Sequence, residues 1–108
     1  MTAPFVTQLR ARADAIRLAP PEAPAFTVRV EMPEVWDTIR AVVAPTTPVM
    51  ELKRSALAAL YPTDEPDTAF VLKLRGFEVL DEGMTVGQTS AVEGSCFLLT
   101  HRYRRPVR

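Results

Sequence analysis

Apolar and polar side chains alternate strictly from Phe26 to Met32, placing Phe26, Val28, Val30 and Met32 on one face and Thr27, Arg29 and Glu31 on the other. Pro33 and Glu34 make a turn, and Asp37 to Val43 answers with Ile39, Ala41 and Val43 inward. Together they predict a hairpin. The same alternation returns in Phe70 to Arg75, with Phe70, Leu72 and Leu74 inward, and in Cys96 to Thr100, where Phe97 and Leu99 oppose Cys96, Leu98 and Thr100. A short strand and turn are expected over Glu78 to Gly83.

Between these strands the period changes. Val49, Leu52, Ala56, Ala59 and Leu60 recur at helical spacing, with Thr47 suited to the N-cap, Pro48 to the first turn and Tyr61-Pro62 to the stop. A twelve-residue helix with a single apolar stripe is marginal in water, so the strands must cover it. The expected class is α+β, a mixed sheet of four to five strands packed on one central helix. A second helical stripe, Val6, Leu9, Ala13 and Ile16, predicts an N-terminal helical extension over residues 4–18. Three prolines in Ala19-Pro20-Pro21-Glu22-Ala23-Pro24 then make a stiff linker. The chain thus divides into a leader and linker (1–25), one domain (26–104) and a basic tail (105–108).

Length and charge narrow the possibilities. The chain's 108 residues suffice for one modest core, and 13 basic against 13 acidic residues give no global field for nucleic acid or membrane. Arg102, Arg104, Arg105 and Arg108 nevertheless concentrate positive charge at the end of the sequence. No apolar run approaches the roughly 18 residues of a membrane span. Arginines interrupt the N-terminal apolar residues, so no signal peptide is read there, and a cytoplasmic location is the expectation. Eleven arginines against two lysines, with abundant alanine and proline, suggest a prokaryotic genome rich in G and C.

The inventory of reactive groups is thin. Cys96 is the single cysteine and His101 the single histidine, five residues apart on one strand and hence on opposite faces. They form neither a dyad nor a metal set. Gly76, Gly83, Gly87 and Gly94 are scattered at bends and make no phosphate loop. No enzymatic activity, metal or cofactor is therefore expected. Lys53 falls on the inward side of the helix, where an ammonium needs a carboxylate partner.

Three stretches together resemble ubiquitin and the ubiquitin-like β-grasp family. They are Val43-Ala44-Pro45-Thr46-Thr47 leading into a helix with Val49, Leu52 and Lys53; Gly76 followed by Leu80-Asp81-Glu82-Gly83-Met84-Thr85-Val86; and Ser95 to Arg104 with its Arg-x-Arg. The resemblance covers about three quarters of the chain. It implies a β-grasp fold and a Lys53 contact to Glu82 or Asp81. Where conjugated relatives end in Gly-Gly this chain has Arg105-Pro106, which speaks against attachment through the C-terminus. Lys73 stands where the family carries the central isoleucine of its recognition patch, with Leu98 and Thr100 on the last strand.

The outward positions collect Arg29, Arg40, Val71, Lys73, Arg75, Leu98 and Arg102, with Trp36 near the hairpin tip. Arginines beside an exposed Trp have the composition of interface anchors. The expected function is a non-covalent interaction module or adaptor whose binding residues are Trp36, Arg29, Lys73, Arg75, Leu98 and Arg102. Its partner is expected to be a protein with an acidic surface, with nucleic acid the weaker option, no membrane insertion, and a monomeric or weakly oligomeric state. The alternatives are a modifier or sulfur carrier acting through its C-terminus with E1-like enzymes, and a divergent or engineered ubiquitin-like scaffold.

Overall fold

The alternating segments pair into one sheet, seen in a computed structural model that describes residues 15–102. Its strands are β1 (Ala15–Arg17), β2 (Phe26–Met32), β3 (Asp37–Val43), β4 (Phe70–Leu74), β5 (Phe77–Glu78) and β6 (Cys96–His101), and its helix is α1 (Val49–Leu60). The order across the sheet is β1, β3, β2, β6, β4, β5. The central pair, β2 with β6, is parallel, as is β1 with β3, and the remaining pairs are antiparallel. The sheet therefore has six strands, not four or five.

Period-two patterning decides which face is covered. Val28, Val30 and Met32 of β2, Ile39, Ala41 and Val43 of β3, and Phe97 and Leu99 of β6 are all buried, and α1 lays Val49, Leu52, Ala56 and Leu60 on them. Each Val, Leu, Ile, Phe or Met among them taken from water stabilises the fold by about 1.5–3 kcal/mol before entropy is subtracted. Arg75 and Gly76 both have positive φ in the two-residue β4–β5 turn, the backbone that matches the twist of a tight hairpin. Gly87 is required by close approach: its N–H donates to Pro45 O at 2.9 Å, and a Cβ there would sit 2.9 Å from the same oxygen.

Two local expectations are corrected. Thr47 does not cap α1. Its hydroxyl accepts from the buried Ala44 N–H at 2.9 Å, while the first helical donors, Val49 N and Met50 N, reach Met84 O and Glu82 O in the loop after β5. That loop thus satisfies groups that a helix start otherwise leaves to a side chain. The N-terminal helical extension is contradicted where its residues are described: Ala15–Arg17 is a strand and Leu18 is not helical, and residues 4–14 of the expected helix lie outside the described residues. Ile16 and Leu18 pack against the core margin, and Leu18 N donates to Val42 O, so these apolar residues serve a sheet edge.

Lys53 is completely buried. Its Nζ lies 2.7 Å from Glu82 Oε1 and donates to Phe70 O at 3.0 Å, joining α1, β4 and the β5–β6 connection at one point. The carboxylate expected for an inward lysine is Glu82.

Candidate functional site

The sheet face turned away from α1 carries the residues that remain for function. Pairing brings them together in rows. Arg40 of β3 lies opposite Arg29 of β2, and Arg29 is level with Cys96 of β6. Two residues along β2, Glu31 is level with Leu98, and Leu98 lies opposite Lys73 of β4, which in turn pairs with Glu78. Arg29, Leu98 and Lys73 therefore share one continuous patch, and Arg40 completes it. Arg29 and Arg40 are exposed, and among the described residues neither has a carboxylate within ion-pair distance. Cys96 also opens on this face, where burial and the nearby Glu31 charge push its thiol up, keeping it protonated at neutral pH.

The other expected residues lie elsewhere or are engaged. Arg102 donates from Nε to Thr68 O and from Nη1 to Glu78 Oε2, both near 3.0 Å. This ion pair links the residue after β6 to β5 across β4, where Val71 is 2% exposed despite its outward position. Arg75 sits in the β4–β5 turn with Nη2 directed at Ser90 O. Trp36 is 94% exposed at the hairpin tip, beyond the far end of β2 from Arg29. Two of the six residues, Trp36 and Arg75, are therefore outside the patch, and Arg102 is at its margin.

Trp36 has φ +55°, a left-handed backbone that bulky residues rarely adopt, and makes almost no packing contact in return. Trp36→Gly is accordingly expected to hold or raise stability, by up to about 1 kcal/mol, in chemical denaturation. A loss of more than about 0.5 kcal/mol would show that the ring packs on its own hairpin.

Glu34, just before it, is anchored. Its Oε2 accepts from Thr100 Oγ1 at 2.6 Å and from His101 N at 3.2 Å, and His101 also faces Glu65. Burial alone would raise the Glu34 carboxyl, but the bonds from Thr100 and the His101 backbone outweigh it and hold the group below the ordinary carboxylate range. Asp67 is held low as well, chiefly by its hydrogen bond from Arg54. Carboxyls lowered in this way stabilise the fold above their unfolded pKa and lose that contribution as pH falls below about 4. Thr100→Val should cost about 1–2 kcal/mol at neutral pH, with the gap from wild type narrowing at pH 3 as Glu34 protonates. Denaturation at the two pH values checks this, and a constant gap would contradict it.

Sequence reasoning named Arg40 as outward but did not single it out. The signal was available, since a hairpin turning at residues 33–36 puts Arg29 and Arg40 face to face. The ties of Arg102 and Arg75 to Glu78 and Ser90 depend on loops and had no sequence signal. Among the described residues no three His, Cys, Asp or Glu side chains gather as a metal site, and no helix is long and apolar enough to cross a membrane.

Comparison with solved structures identifies the fold as a ubiquitin-like β-grasp. The solution structure of the ubiquitin-like domain of an Arabidopsis thaliana protein matches with a TM-score of 0.64 at 17% identity, over 83% of this chain and 90% of that one. A Caldiarchaeum subterraneum ubiquitin matches at 0.62 and 17% identity, over 75% and 98%. An N-terminal ubiquitin-like domain of another protein matches at 0.62 and 19%, over 84% and 88%. No protein-family model matches the chain, and no curated protein does.

Proposed function

We propose that this chain is a non-catalytic, cytoplasmic protein-binding module that docks the outer face of its sheet on an acidic surface of a partner protein. The observation that carries this reading is the Arg29–Arg40 pair. Like charges directly opposite each other on neighbouring strands destabilise a sheet, and no carboxylate among the described residues pairs with either guanidinium, Glu31 standing one row away on β2. A partner's carboxylates would, through bidentate guanidinium contacts. Lys73 adds charge one row away, and Leu98 beside it supplies an apolar contact that excludes water.

Capture of partners from an extract of the source cells tests the proposal. Proteins retained by the wild type should be released by raising salt from 0.05 to about 0.5 M, because the Debye length then falls well below 10 Å. Lys73→Glu should fail to retain them, with the mass of the chain unchanged in every case. Retention indifferent to salt and to Lys73→Glu would overturn the acidic-partner reading, and a covalent adduct on the chain would favour a modifier.

A further inference from the structure

We propose that the cleft at the β5 edge of the sheet is a second docking surface, which accepts an extended partner segment carrying a large apolar side chain next to a basic one. Phe77 and Leu80 are 78% and 83% exposed, among the few large apolar side chains left in solvent. They flank a cleft of about 520 Å³ whose wall includes Leu74, Val79 and Met84 at the margin of the core. Exposed apolar side chains gathered around a concavity are the mark of a contact surface, whereas scattered ones are not.

Backbone geometry selects an extended occupant. β5 is the outermost strand, paired with β4 through Leu74–Phe77 and Lys73–Glu78, and Val79 N continues the ladder to Leu72 O. Alternation in an antiparallel ladder then turns the N–H and C=O of Glu78 away from β4, along the free edge. A strand laid there gains main-chain hydrogen bonds while one of its side chains enters the cleft.

Charge selects the flanking residue. Glu78 is engaged by Arg102, and Arg75 is directed at Ser90 O. The Asp81 carboxylate accepts the Gly83 N–H at Oδ1 and has no cationic partner among the described residues. Asp81 is thus the carboxylate of the cleft left without a cation among the described residues, and a lysine or arginine seated beside it complements it, while Arg75 keeps its own positive charge. β6 and β4 separate this edge from the Arg29–Arg40 pair, while Lys73, the nearest residue of the basic face, pairs with Glu78 at the cleft.

A random-peptide phage library panned on the full chain tests the proposal, followed by titration of an enriched synthetic peptide into the ¹⁵N-labelled chain. Enriched sequences should pair a large apolar residue with Lys or Arg and shift amides of residues 74–84, leaving Arg29 and Arg40 unmoved. Phe77→Ser with Leu80→Ser, both exposed and harmless to folding, should weaken binding about tenfold or more. Asp81→Asn, which keeps the acceptor for Gly83, should abolish the preference for a basic residue. The proposal is overturned by an absence of enrichment, by binding that ignores these substitutions, or by a doubled solution mass that Phe77→Ser abolishes. None of these outcomes is read at Arg29 or Arg40, so this proposal and the basic-face reading fail separately.

Discussion

Lys53→Ala is expected to cost about 3–5 kcal/mol, the usual penalty for leaving one partner of a buried ion pair alone. A domain of this size is stable by only about 5–15 kcal/mol, so the variant should sit near its unfolding transition at room temperature. Three features make the position sensitive. Lys53 is fully buried, the Glu82 side chain is 10% exposed, and Glu82 Oε2 already lacks a hydrogen-bond partner among the described residues. Removing the ammonium leaves that carboxylate with no compensating charge and frees Phe70 O as well. The damage also reaches α1, because Met50 N donates to the backbone oxygen of Glu82. Replacing both members, Lys53→Met with Glu82→Met, should recover most of the loss, since apolar side chains of similar volume need no pairing, although Phe70 O remains unpaired. Urea unfolding of the three proteins checks this. A single variant within about 1 kcal/mol of wild type would show that the Glu82 carboxylate reaches water once the ammonium is gone.

Arg40→Glu is expected to move stability and binding in opposite directions. A glutamate opposite Arg29 turns a repulsive cross-strand pair into an attractive one and should add about 0.2–1 kcal/mol to stability. The same substitution brings a carboxylate against an acidic partner, where like charges cost several kcal/mol, so affinity should fall about 100-fold. Denaturation and a partner titration on the same preparation provide both readouts. A merely solvated face would show the first change without the second.

The outer half of this picture was harder to read from sequence than the inner half, for physical reasons. Core positions such as Val28, Val30, Ile39, Leu72 and Phe97 are written directly in the period-two pattern, because one face of every long strand must be dry. Lys53 could be read as paired because a buried ammonium needs compensation, although a snorkelling side chain was the alternative, and the resemblance pointed to Glu82 or Asp81. β1 was missed because three residues are too few to show a period, and Ile16 and Leu18 serve a long-range parallel pairing with β3 that leaves no local mark. Thr47 looked like a cap, but Met84 O and Glu82 O, more than thirty residues away, already take the helix donors. On the face itself, alternation identifies which side chains point outward but not which are engaged. Arg102 looked available until Glu78, brought alongside by the Arg75-Gly76 turn, tied it, and Val71 is buried although alternation turns it outward. Trp36 and Arg75 fall outside the patch because both lie at turns, beyond the strand ends.

The most direct test of the basic face is an amide chemical-shift map of the ¹⁵N-labelled chain titrated with a partner captured at low salt. A face that works as proposed gives the largest shifts at Arg29, Arg40, Lys73 and Leu98, all weakened by salt. Shifts confined to α1, or to the cleft around Phe77 and Leu80, would contradict it and place the principal binding surface elsewhere on the fold.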